Sequence, residues 1–247
     1  MKSIAFSIQK GGTGKTSIAG NVASLISSTN RKVLLVDSDP QGSLSSWFLS
    51  NPPQHELSDV LQGKILLKDA VVELHAPLFI LPTFGINGGL KAYADNQLEQ
   101  EPFIFEEFKL EAQAIEFDFL VYDLSPAIGR LERSVLLGCD EVVTPLSPEY
   151  FSIDGIEIFQ DFLRQIRKGF RKEILHEKIV LNLVNRSFRR HGIYRDKIKS
   201  LGYQVFEIGQ DAKIPESQMM HTSLINYAPE SKVIPELTRL AESLLPE

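Results

Sequence analysis

The segment Gln9-Lys10-Gly11-Gly12-Thr13-Gly14-Lys15-Thr16-Ser17 constrains this chain more than any other stretch. Glycines at 11, 12 and 14 let a backbone turn tightly enough for successive N–H groups to converge on one anion. A short β-rich run, Ser3–Ile8, leads into the loop, and small and apolar residues at helical spacing follow over Lys15–Ser28. A helix beginning near Lys15 would point the positive end of its dipole at the same anion. Strand, glycine loop and helix together are the context of a phosphate loop, in which Lys15 reaches the β- and γ-phosphates and the Thr16 hydroxyl ligates Mg²⁺. The common form G-x-x-x-x-G-K-[ST] would place glycine at position 9. This chain has Gln9 there and fits K-G-G-x-G-K-[ST]-[ST] instead. The expected ligands are ATP and Mg²⁺, and the expected ATP contacts are Lys10, Gly11, Gly12, Thr13, Gly14, Lys15, Thr16 and Ser17.

Further along, apolar runs alternate with helical patterns. Lys32–Val36, Leu78–Leu81, Phe117–Tyr122, Glu141–Thr144 and Lys178–Val184 are near-continuous apolar runs, as parallel strands buried on both faces require. Helices are predicted over Phe103–Ile115, Ser152–Lys168, Tyr194–Leu201 and Pro235–Leu244. The alternation predicts an α/β fold: a doubly wound, mostly parallel sheet with helices on both faces. Asn51–Asn96 is less regular and reads as excursions from the same domain, so residues 1–247 are expected to form one domain. Met1-Lys2-Ser3-Ile4 leads directly into a strand without a signal-peptide pattern, and a cytoplasmic location is expected. The single cysteine, Cys139, leaves no disulfide or multi-cysteine cluster within one chain.

A phosphate loop needs carboxylates near its metal, at the ends of neighbouring strands. Asp123 ends the run Phe117–Tyr122, and Asp37 and Asp39 follow Lys32–Val36 in Asp37-Ser38-Asp39-Pro40-Gln41-Gly42. A lone aspartate in such a place commonly caps a turn. Three of them at strand ends beside a phosphate loop point to a metal and a water. Asp123 would hold Mg²⁺ through a water, one of the other two would support the metal shell, and the remaining one would orient the attacking water.

Charge is unevenly spread over a chain of net charge −6. Residues 1–150 hold 11 Lys/Arg against 19 Asp/Glu, whereas residues 151–215 hold 13 against 8. The basic segment is either a solvated surface with local ion pairs or an anion-binding face.

The loop from Lys10 to Thr16, the segment VDSDPQGS at 36–43 and the strand ending YDLSP at 122–126 together resemble the ParA/MinD family of deviant Walker A P-loop ATPases. DPQG in particular resembles its ParA/Soj partition branch, and LVNR (183–186) and YAPESK (227–232) extend the similarity over nearly the whole chain. The resemblance implies an ATP-dependent homodimer with two nucleotides at its interface. It implies catalytic roles for Lys10, Lys15 and Asp39: Lys10 matches the lysine that reaches the partner's phosphates, and Asp39 matches the residue that orients the water. Thr16, Asp37 and Asp123 match the metal positions, and Asn185 a position that often contacts adenine. It further implies non-specific DNA binding, a nucleoid-associated location, a ParB-like protein that stimulates hydrolysis, and chromosome or plasmid partition. Two basic clusters compete for the DNA. One includes Arg186, Arg189, Arg190, Arg195, Lys197 and Lys199; the other is Arg164, Arg167, Lys168, Arg171 and Lys172. At 208–218 the family commonly carries I-P-R and then L-S-E-A, whereas this chain has Pro215 where an arginine is often found; Lys213 is the candidate replacement for a DNA contact. The alternative is a positioning ATPase for another cargo, with a MinD-like membrane surface or a protein assembly as its partner. The tail from Val233 to Glu247 is amphipathic but acidic, so a membrane partner is not expected.

Overall fold

Alternating apolar strands and helices build an eight-stranded sheet in the computed structural model, which describes residues 1–149 and 152–246. The chain runs through β1 (Lys2–Phe6), α1 (Lys15–Ser27), β2 (Val33–Ser38), α2 (Ser43–Phe48), α3 (Leu57–Leu61), α4 (Leu67–Ala70), β3 (Val72–His75), β4 (Leu78–Leu81), α5 (Leu90–Asn96) and α6 (Ile104–Ala114). It continues through β5 (Phe119–Leu124), α7 (Arg130–Leu137), β6 (Glu141–Leu146), α8 (Ser152–Phe170), β7 (Leu175–Val184), α9 (Arg189–Ser200), β8 (Gln204–Gly209), α10 (Lys213–Met219), α11 (Leu224–Tyr227) and α12 (Ile234–Glu242). Strand order is β3-β4-β2-β5-β1-β6-β7-β8. Every pairing is parallel except β3 with β4 at one edge.

The central strands are buried on both faces, and their alternate residues feed two separate cores. Leu34, Val36, Leu120 and Tyr122 pack under α3 to α9, while Val33, Leu35, Phe119 and Val121 pack under α1, α2, α11 and α12. This two-sided burial is why those strands read as continuous apolar runs.

The predicted strands and helices all appear among the described residues, with ends shifted by a few positions; α9 begins five residues before the predicted Tyr194. Elements the sequence did not show are short or half-exposed. They include β3, β8, the helices α2 to α5 in and around the irregular 51–96 stretch, and α7, α10 and α11.

The order of the strands brings one set of ends together. β1, β2 and β5 are neighbours in register, with Phe6 beside Asp123 and Asp123 beside Asp37. Their C-terminal ends, the loop 7–14 and the start of α1 therefore converge where ligands bind in open α/β sheets.

Candidate nucleotide site

The loop is shaped by glycine where no other residue fits. Gly14 caps α1 at φ 86°, in the left-handed region, and its carbonyl accepts the Ile18 N–H at 2.9 Å. A Cβ on Gly14 would lie 2.1 Å from Nδ2 of Asn182. That amide, buried near the C-terminal end of β7, donates to the Thr13 carbonyl at 2.9 Å and fixes the loop from the sheet side. The Lys15 ammonium is buried and donates to the Lys10 carbonyl at 3.1 Å. Desolvation lowers its pKa, against the opposing attraction of Asp123 and Asp39.

The acidic positions differ sharply from one another. Asp37 is fully buried and accepts both the backbone N–H (2.8 Å) and the hydroxyl (2.6 Å) of Ser45 at the start of α2. Burial nevertheless pushes its pKa up to about 7, with the Ser45 bonds and the Asp39 N–H pulling the other way. Asp123, its neighbour across the strand pair, is also fully buried, and neither carboxylate oxygen has a hydrogen bond of good geometry. Burial and then the Asp37 charge drive its pKa well up; the nearby Thr16 hydroxyl and Lys15 reduce the rise. Asp39 is half-buried at the mouth, where its carboxylate accepts the Gln41 N–H at 2.9 Å.

Buried polar atoms are almost always paired in folded proteins. Among the described residues ten such side-chain atoms lack a hydrogen bond of good geometry, and five of them, Gln9 Nε2, Thr13 Oγ1, Asn182 Oδ1 and both Asp123 oxygens, belong to this loop and the strands beside it. Such a concentration around one loop marks the place of a polar ligand. Asp123 beside the Thr16 hydroxyl is a donor set suited to a hard divalent cation. No group of three or more His, Cys, Asp or Glu among the described residues converges to hold a metal unaided. An ion at Thr16 and Asp123 would therefore share oxygens with a bound phosphate.

Other predicted residues stand apart from this cluster. The Lys10 ammonium pairs with Glu149 at 2.5 Å and approaches Ser147 Oγ at 3.4 Å. The Ser17 hydroxyl accepts from Gln218 Nε2 of α10 at 2.8 Å. Asn185 turns its side chain to the Ser187 N–H and its own N–H to His191 Nδ1. Asn182, three residues earlier, is the amide that meets the loop. It was legible only as a polar interruption in the apolar run at 178–184.

The basic clusters also separate. Arg164 pairs with Asp161, Lys172 with Glu106, and Arg167 donates to the Ile174 carbonyl. Arg186 is bound by Glu236, and Lys213 by Glu216 at 2.8 Å. Arg189 and Arg190 are exposed at the start of α9, with the Arg190 guanidinium stacked 4.9 Å from the Phe188 ring.

A parallel sheet with a lysine-bearing glycine loop at its carboxyl edge and aspartates on the adjoining strand ends defines the class of P-loop NTPases. Comparison with known proteins narrows it. The profile of the family described as AAA domain matches residues 1–176. An uncharacterized protein of Borreliella burgdorferi is 41% identical over 99% of both chains. The chromosome partitioning protein ParA of Myxococcus xanthus is 27% identical, covering 98% of this chain and 87% of its own. The sporulation initiation inhibitor protein Soj of Bacillus subtilis is also 27% identical, over 94% and 93%. Among solved structures, apo McdA of Cyanothece superposes with TM-score 0.84 at 17% identity over 100% of both chains. The septum site-determining protein MinD of Pyrococcus horikoshii, complexed with Mg-ADP, gives 0.80 at 23% identity over 98% and 95%. The chain belongs to the ParA/MinD family of P-loop ATPases, with the ParA/Soj partition proteins among its relatives. It is a partition or positioning ATPase of that family.

Proposed function

We propose that the chain is a Mg²⁺-dependent ATPase that dimerises on ATP and binds DNA without sequence preference in that state. A ParB-like protein then stimulates hydrolysis and releases it, and the cycle moves a chromosome or plasmid. One observation carries the nucleotide part: the Asp123 carboxylate is buried without a hydrogen bond of good geometry and is set beside Thr16 and Lys15. A carboxylate is kept there at a cost only if a cation completes it.

In this reading the backbone of residues 11–14 and the start of α1 hold the phosphates, and Lys15 neutralises them. Thr16 and Asp123 would hold Mg²⁺, with Asp37 behind them; when bound, the ion neutralises charge on the phosphate oxygens. Asp39, half-buried at the mouth, orients the attacking water. Lys10 lies in an exposed ion pair with Glu149, an interaction worth no more than about 1 kcal/mol. It is therefore free to exchange that carboxylate for the phosphates of a second protomer. Neutralising phosphate across an interface makes the dimer form best with ATP bound. DNA contacts fall on Arg189 and Arg190, which are exposed side by side at the start of α9, with Arg186 and Lys213 able to join only by leaving their glutamates. The names of the ParA and Soj relatives support the partition reading. A membrane partner is disfavoured because the apolar side of α12, including Leu237 and Leu240, is already buried against the sheet.

The test uses Asp39→Ala to hold the ATP state. Its binding to random-sequence duplex DNA is measured with ATP and with ADP at two salt concentrations. ATP-specific, salt-sensitive binding is expected. Absence of binding in every nucleotide state would sink the DNA part and direct the cycle to a protein assembly.

A further inference from the structure

The two edges of the sheet are unequal. β3 is four residues long, antiparallel and irregular in register, so it offers little to pair with. β8 is six residues long and, among the described residues, has only β7 beside it. Its other side is a row of peptide N–H and C=O groups of the kind that accepts a further strand. Alongside it runs a cavity of about 580 Å³, lined by Val205, Phe206 and Glu207 of β8, by α9 and by α12. The helices lie on opposite faces of the sheet, so the cavity is a slot along the strand edge.

The slot carries three arginines. Arg195 of α9 is on one side, Arg239 of α12 on the other, and Arg186 at the end of β7. Two of these are offset within the slot: Arg195 lies 3.3 Å from Glu207, and Arg186 is bound by Glu236, which also accepts the Gly209 N–H. Arg239 has no ion partner among the described residues and supplies the uncompensated charge of the slot. Phe188, 47% exposed, and the half-buried Phe206 provide apolar surface between the charges.

We infer that the free edge of β8 and this slot form a docking site for an extended protein segment carrying acidic side chains. Successive side chains of an added strand point to opposite faces. One row would meet the α9 wall, where Arg195 is already ion-paired with Asp196 and Glu207, and the other the α12 wall with Arg239, so the segment favours one acidic row facing Arg239 and one apolar row. Main-chain hydrogen bonds would supply affinity and the two walls specificity, as in other strand additions. Nucleic acid fits the arginines but not the edge, because a phosphodiester backbone offers acceptors and no donors to the strand.

The test is fluorescence anisotropy of a labelled nine-residue peptide of alternating glutamate and valine against the full chain without nucleotide. Omitting nucleotide keeps the result separate from the ATPase reading. Saturable binding is expected. It should weaken about tenfold or more in Arg239→Glu, roughly 1.4 kcal/mol, and similarly when alternate peptide nitrogens are methylated at unchanged charge. Arg239 is exposed, and the variant's thermal melt is recorded to show that it folds. Equal binding of the methylated peptide would reduce the surface to a polyanion attractor and overturn the proposal. So would the absence of saturable binding. Displacement by duplex DNA, together with indifference to Arg239→Glu, would assign the surface to nucleic acid instead.

Discussion

Asp37 and Asp123 lie side by side on paired strands, both fully buried; Asp37 is held by two Ser45 donors, whereas Asp123 has no hydrogen bond of good geometry. Without a cation the pair is a liability to the fold. Asp123→Asn keeps the shape and removes the charge. It should raise the thermal midpoint of the nucleotide-free protein by about 2–4 °C, the equivalent of roughly 1 kcal/mol or one pKa unit. The same variant should lose the upward shift that Mg²⁺ and ATP give the natural protein. A lower midpoint without nucleotide would show that the carboxylate is not strained. A second buried group titrates with the opposite sense. His176 sits against Phe159 and Thr144, and burial and the Arg167 charge hold its pKa down to about 4. The unfolded imidazole takes up its proton near 6.5. Stability from this group is thus complete above pH 6.5 and is lost as pH falls towards 4, by at most about 3 kcal/mol, less what its partly exposed edge recovers from solvent. His176→Asn should flatten the stability profile between pH 6.5 and 4; an unchanged profile would reassign the acid sensitivity. The aspartates were legible in the sequence because strand ends and a phosphate loop give them context. His176 and Asn182 were not, since what matters in each is a neighbour far away in the chain.

At the scale of elements, α10 and α11 are attached to the helices that begin at the site. Gln218 reaches Ser17 on α1, and the buried Leu224 N–H donates to Asn21 Oδ1 at 2.8 Å. Trp47 Nε1 on α2 donates to the Thr222 carbonyl at 2.9 Å. Gly20 allows α2 to lie close to α1, because a Cβ there would be 2.3 Å from the Trp47 ring. Asn21→Ala would strand a buried N–H and should cost about 1–3 kcal/mol in denaturant unfolding. It should also speed amide exchange in 213–227 more than elsewhere; uniform acceleration would mean that the segment has no separate attachment. The strands of the sheet centre were readable because burial on both faces makes them continuously apolar. β8 was not, because its residues are only partly covered, and α10 carries Pro215 and few apolar positions. Short helices such as α3 and α4 are held by tertiary packing and leave no periodic pattern to read.

For the whole molecule, the net charge of −6 opposes association with DNA, so binding depends on where the positive charge lies. In the cluster 164–172, Arg164, Arg167 and Lys172 have partners within the chain, and Arg189 and Arg190 are exposed on α9. Reversing both to glutamate should weaken ATP-dependent DNA binding at every sequence tested. It should also flatten the dependence of log affinity on log salt by up to about 0.9 for each phosphate that is no longer neutralised. An unaltered slope would move the interface elsewhere. The buried aspartate pair has a further consequence, for how long each molecule survives in a cell. Proteases that act on transiently opened chains would remove the nucleotide-free form fastest, while each bound nucleotide lengthens the life of its protomer. The energy charge of the cell would then set the abundance of this protein as well as its activity, and starvation would thin the population before any gene responded.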